Sequence, residues 1–161
     1  YKAAIRSEKR WKIPPYVLMS FVYQESSYKA NAKPERDKVL GFIPWFRPSS
    51  ASGYSQALTK TWEDYKDETG NARASRKNFS DSADFIGWYA SKGYYQGFEK
   101  QDARSLYLAY HEGYGGFERK TYRKKQWLIK VADRVQERSM KYQQQYWGCS
   151  QELKKKKFLI F

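Results

Sequence analysis

The stretch PPYVLMSFVYQESS, residues 14 to 27, decides how the rest of the chain is read. Proline is at home in the first turn of a helix, where its fixed φ is right and no hydrogen bond is lost. The spacing therefore predicts a helix from Tyr16 to Glu25, opened by Pro14 and Pro15. Only Ser20 interrupts its apolar positions before Gln24, and a helix that is apolar nearly all round is a buried one. At its end stands a carboxylate, Glu25. A carboxyl group set against apolar surface loses solvation, and its pKa rises. A glutamic acid that keeps its proton near neutral pH can donate it as a general acid. The competing reading is an ordinary helix-end glutamate, solvated or paired with a lysine.

Working outward, helical periodicity dominates and strand-type alternation is scarce. Residues 2 to 10 read as a short basic amphipathic helix. Asn31 to Ser52 is a loop carrying Pro34, Pro44 and Pro48, and its aromatics Phe42, Trp45 and Phe46 suit one wall of a cleft. A helix is expected over Ser55 to Thr69, stopped by Gly70-Asn71. A short helical piece follows over 71 to 76. Asp81 to Gly93 forms the next helix, with Phe85, Ile86, Trp88 and Tyr89 inward. Asp102 to Tyr110 runs into the glycine cluster Gly113, Gly115 and Gly116. The longest helix is Lys124 to Trp147, with Trp127, Leu128, Val131, Val135 and Met140 inward. Lys154 to Phe161 reads as a basic tail: a solvated stretch with an apolar end, or a contact for an anionic surface.

A chain of 161 residues fits one domain, and 40% apolar content fills a core. Fifteen tyrosines and six tryptophans exceed what packing needs, and such side chains suit interfaces and sugar faces. A net charge of +14 points to a polyanionic partner: nucleic acid, anionic lipid or an acidic polymer. The single cysteine, Cys149, excludes an intrachain disulfide. No apolar run approaches the ~20 residues of a membrane span. With His111 the only histidine, no metal site and no cofactor is expected. Gly113 to Gly116 lacks the Lys-Ser/Thr of a phosphate loop and reads as a turn.

Three segments in order carry a resemblance: Glu25-Ser26; Gly53-Tyr54-Ser55-Gln56; and Ala109-Tyr110-His111-Glu112-Gly113-Tyr114-Gly115. They resemble the soluble-type lytic transglycosylases of the goose-type lysozyme-like superfamily. That family shows Glu-Ser, then Gly-Leu-Met-Gln, then Ala-Tyr-Asn-x-Gly-x-Gly. The resemblance runs from about Pro14 to Val135 and implies an all-α, mainly helical, lysozyme-like single domain with a glycan cleft. The domain would occupy residues 1–150, and 151–161 would be the basic tail. Glu25 matches the catalytic acid/base, and Ser26 would steady it. Tyr54, Ser55 and Gln56 fall on the second motif, whose last residue contacts sugar. Tyr110 matches the aromatic beside the reacting sugar. Gly113 and Gly115 match a tight turn where a bulky side chain would block the cleft. Tyr54-Ser55 stands where the family has Leu-Met, and His111 where it has Asn. The family's late-helix tyrosine has Trp127 in its place here, with Tyr122 just before it and Tyr142 further on as candidates for the role.

The resemblance also implies the reaction. One group protonates the glycosidic oxygen and then, as carboxylate, takes the proton of the sugar's own 6-hydroxyl. The intramolecular nucleophile has a high effective concentration and leaves a 1,6-anhydromuramic end. A muramidase-type hydrolase needs a second carboxylate, for which Asp37, Glu63, Asp64 and Glu112 are candidates. A module that grips glycan or nucleic acid without catalysis is the remaining alternative. Peptidoglycan strands are the expected partner, and nucleic acid is not. The protein is expected to be a monomer of the bacterial periplasm or cell envelope. Because the chain begins at Tyr1, an anchoring segment ahead of it is compatible with this reading.

Overall fold

The computed structural model describes residues 2–33, 50–93 and 97–158. The expected loop of Pro34, Pro44 and Pro48, with its aromatics, lies outside the described residues apart from its two ends, as does Asp37. Seven α-helices follow in order: α1 Lys2–Trp11, α2 Pro15–Ser26, α3 Thr59–Thr69, α4 Phe79–Ser91, α5 Ala103–Glu112, α6 Tyr114–Glu118 and α7 Gln126–Phe158. Among the described residues there is no strand, only an isolated bridge between Ser52 and Ala57. No helix among them is long and apolar enough to cross a membrane.

Helix α2 starts with Pro15 in its first turn and Pro14 at its cap, as the two prolines predict. It lies against α1, α4 and α7. Val17, Leu18, Phe21 and Val22 are fully buried. Burial is not all round: Tyr16 and Met19 are half-buried, and Tyr23 is 38% exposed.

Helix α1 crosses α4 closely. The Ser7 hydroxyl donates to the Ala83 carbonyl at 2.8 Å. Asp84 then ties three helices together: it accepts from Arg10 at 3.0 Å, from the Trp11 indole at 2.8 Å and from the Tyr65 hydroxyl at 2.9 Å. Around this point the aromatic surplus goes inward. Trp62, Tyr65, Phe85 and Trp88 form a cluster with centroids 5.1–5.6 Å apart. These rings build the core rather than a stacking face.

Five expectations are corrected. Helix α3 begins at Thr59, not Ser55, because residues 52–57 are held as a tight turn by the distant Arg76. Residues 71–76 are turns, not helix. Asn78 starts α4 two residues early by accepting from the Ser80 and Asp81 N–H groups, a side-chain cap. Helix α7 passes Trp147 and runs through the lysine run to Phe158. Within it Met140 is 55% exposed, and Ser139 takes the inward position, since Leu128, Val131, Ala132, Val135 and Ser139 keep the 3–4 spacing.

Candidate active site

The second and third sequence segments meet at the turn Gly53–Gln56, which is also tied to the chain past α2. The Ala32 carbonyl, a few residues past Glu25, accepts from the Gly53 N–H at 3.0 Å and from the Gln56 side-chain amide at 2.9 Å. The same amide donates to the Gly53 carbonyl at 2.8 Å. On the other side the Tyr110 hydroxyl donates to the Ser55 carbonyl at 2.6 Å. The turn is thus strapped to the chain after α2 and to the end of α5. Behind it, the Tyr54 N–H donates to the Arg76 carbonyl at 3.1 Å. Gly53 fits this close approach because a Cβ there would lie 2.1 Å from the Arg76 oxygen, and its φ is +78°.

Glu25 sits where α2 meets α5. Phe21, one turn earlier on α2, places its ring edge-on to Tyr107 and Tyr110, with centroids 5.3 and 5.5 Å away. Tyr107 and Tyr110, three residues apart on α5, share one face. Tyr107 donates a hydrogen bond to the Glu25 carboxylate, and Tyr110 lies within reach of its charge. Burial raises the Glu25 pKa from 4.5 to about 7, although the Tyr107 hydrogen bond pulls the other way. Burial and the neighbouring carboxylate push both phenols well above their usual value, so both remain protonated donors. Ser26 donates to the Val22 carbonyl at 2.9 Å, inside the helix. Ser27 closes α2 in the left-handed region, φ 47°, and Tyr28 follows at φ 63°. Two successive non-glycine residues in that region are costly, and they turn the chain sharply just beyond the carboxylate.

The other expected residues take varied places. Ser55 is fully buried, and its hydroxyl has no hydrogen-bond partner, so its side chain is shut off from solvent. Gln56 is the strap described above. Tyr54 packs edge-on against Phe79 at 5.4 Å. His111 touches Trp127 at 5.2 Å, and its Nδ1 lies 3.0 Å from Glu112. Burial lowers the His111 pKa, so the ring is neutral at neutral pH. Gly113 has φ 72° and ψ 156°, which is open only to glycine. A Cβ there would meet nothing within 4 Å, so the backbone and not the space requires glycine. At Gly115 a Cβ would come within 3.2 Å of the Arg119 guanidinium. Tyr122 stacks on Phe117 at 5.2 Å, and Tyr142 shares a 3.0 Å hydrogen bond with Tyr28.

Of the candidate second carboxylates, Glu63 pairs with Lys66 at 2.8 Å and Asp64 with Lys60 at 3.1 Å, both on the outer side of α3. Glu112 is enclosed, with 4% of its side chain exposed. Lys125 binds it at 2.7 Å, His111 at 3.0 Å, and the Thr121 hydroxyl also donates to it. Burial raises its pKa, but these hydrogen bonds and the Lys125 charge outweigh that and hold it below 4.5. No group of three metal-ligating side chains occurs among the described residues.

Sequence reasoning passed over Tyr107, which donates a hydrogen bond to Glu25. Its signal was its position three residues before Tyr110. A concavity of about 440 Å³ between α1, α2 and α7 is lined by Tyr16, Met19, Tyr28, Tyr142, Tyr146 and Cys149 among others. Of the expected site residues only the alternate Tyr142 lines it.

The arrangement is a half-buried glutamic acid, protonated near neutrality, framed by two phenols and by a turn that three hydrogen-bonded segments hold in place. Comparison with curated proteins and with solved structures gives no match. A family model, the transglycosylase SLT domain, matches residues 1–149. The all-helical architecture agrees with the lysozyme-like fold of that family. The chain therefore belongs to the transglycosylase SLT domain family.

Proposed function

We propose that this protein is a peptidoglycan lytic transglycosylase that cleaves the MurNAc–GlcNAc bond with Glu25 as its single acid and base. The observation that carries the reading is the placing of the Glu25 carboxyl at the end of the buried helix α2 beside Tyr107 and Tyr110, where burial raises its pKa to about 7. A proton available near neutrality goes to the glycosidic oxygen as the bond to the anomeric carbon breaks. The resulting carboxylate is steadied by the Tyr107 hydrogen bond. It then accepts the proton of the 6-hydroxyl as that oxygen closes on the anomeric carbon. No water is activated, so no second carboxylate is needed. Among the described candidates, Glu63 and Asp64 sit in exposed ion pairs and Glu112 in a closed one, which supports the one-carboxylate route. The net charge of +14 suits a substrate bearing carboxylates, and that substrate puts the protein in the bacterial periplasm or cell envelope.

The test is mass spectrometry of purified peptidoglycan after incubation with the protein. Muropeptides ending in 1,6-anhydroMurNAc are expected. Products heavier by one water, with reducing ends, would overturn the lyase reading in favour of a hydrolase.

A further inference from the structure

The concavity of about 440 Å³ between α1, α2 and α7 takes its α2 lining from the first half of that helix, whereas Glu25 stands at the other end. Tyr16 and Met19 of α2, Tyr28, Tyr142 and Tyr146 of α7, and Ala4 of α1 line it. Tyr28 belongs here because the chain turns back after α2, and its hydroxyl donates to the Met19 carbonyl at 3.2 Å. Tyr28 and Tyr142 share a hydrogen bond at 3.0 Å, and the Tyr16 hydroxyl accepts from the Gln143 amide at 3.2 Å. These three hydroxyls are engaged within the protein, so the tyrosines present ring carbon to the hollow rather than donors and acceptors.

The chain around the hollow is basic. Lys2 stands two residues before Ala4 and Lys141 directly before Tyr142; both are exposed, and neither has an acidic partner among the described residues. Glu8, one turn past Ala4, acts on Tyr16 through its charge, and the Lys12 charge offsets it. Past Cys149, an exposed lining residue, α7 runs on through the lysines to Phe158. Lys154 to Lys157 therefore begin about 8 Å beyond Cys149 along the helix. The apolar stretch from Phe158 to Phe161 follows them in the sequence.

A hollow of ring carbon suits hydrocarbon, because a sugar or a peptide backbone would leave polar groups unpaired there. Four successive lysines set no register for a folded partner, whereas lipid headgroups rearrange to meet them. We propose that the start of α1 and the late part of α7 form a docking surface for a bilayer rich in anionic phospholipid. The hollow takes the acyl chain of one lipid, and the lysines meet the headgroups around it. This docking does not depend on the reaction assigned to Glu25. Glu25 lies nine residues from Tyr16, about 14 Å along α2, so the lipid and the candidate active site occupy different parts of the molecule.

The test is co-sedimentation of the whole chain with vesicles of phosphatidylcholine alone or of phosphatidylcholine with phosphatidylglycerol. Binding to the anionic vesicles is expected, weakening as salt is added. Changing Lys154 to Lys157 together to Gln should weaken it by about a hundredfold. The matched control changes Arg119, Lys120, Arg123 and Lys124 to Gln, four exposed cations ahead of α7, and should leave binding nearly unchanged. Gln145→Glu with Cys149→Glu, two exposed positions of the lining, should weaken it by about tenfold. A fluorophore on Cys149, the single cysteine, should be quenched by lipid that carries a spin label on its acyl chain. No binding, or equal binding to both vesicles, overturns the proposal. So does an equal loss in the control, which would make net charge the cause rather than this surface. Binding without quenching shows headgroup contact alone and overturns the hollow as an acyl-chain site. A fluorophore already shielded without lipid, in a protein that sediments as a dimer, would give the hollow to a second copy and also overturn it.

Discussion

Glu25 and Glu112 are two glutamates near the C-terminal ends of helices, both withdrawn from solvent, with opposite fates. Glu112 is surrounded by donors and a cation: Lys125, Thr121 and His111. Its pKa falls, and it serves as a clasp that holds α5 to the turn ahead of α7. Among the described residues, Glu25 has aromatic rings for neighbours and one phenol as its hydrogen-bonding side chain, and its pKa rises to about 7. Burial is common to both. What separates an ionised clasp from a protonated acid is the number of donors and cations admitted to the pocket.

The comparison breaks first at Glu25→Gln, which keeps the shape and removes the transferable proton. Release of muropeptides should drop by about 10³-fold or more, and activity near the wild-type level in a liquid-chromatography assay would contradict the assignment. The same variant has an opposite effect on stability. A carboxyl whose folded pKa is raised favours the folded state while it stays protonated. That contribution is full below the unfolded value of 4.5 and is lost as pH climbs toward about 7. The shift corresponds to an upper figure of about 3 kcal/mol. Glu25→Gln should therefore melt higher than the wild type at about pH 8 and near the wild-type temperature at about pH 4.

Glu112→Gln should behave in the reverse sense. Its lowered pKa contributes stability that is present above 4.5 and is lost as pH falls below it. Removing the charge should cost about 1–3 kcal/mol at neutral pH, read by urea denaturation, and little in strong acid. The smallest effect sharpens the contrast. Tyr107→Phe deletes the hydrogen bond that pulls the Glu25 pKa down, so the alkaline limb of the kcat/KM profile should move to higher pH. A limb that moved down would mean that the phenol acts on Glu25 some other way.

How much of this was legible in the sequence follows from where each determinant lies. Helix α2 and its acid were readable because their signals are local: Pro14, Pro15 and an apolar run ending at Glu25. Ser55 to Leu58 was misread as helix because the force on it is remote, through the carbonyl and guanidinium of Arg76. Tyr107 was hidden for another reason. An aromatic at core spacing looks the same whether its hydroxyl is idle or bonded to a carboxylate. Glu112 appeared as a free second carboxylate because Thr121 and Lys125 come from the next structural elements. At Gly113 the sequence showed the glycine but not the positive φ that requires it, since backbone dihedrals leave no trace in composition.

The most direct test of the account is a carbon-13 NMR titration of the Glu25 side-chain carboxyl, with Glu112 as the internal contrast. The account predicts a midpoint of about 7 for Glu25 and one below 4.5 for Glu112. A Glu25 midpoint in the ordinary range near 4.5 would show an ionised carboxylate at working pH, and the single-acid mechanism would be wrong.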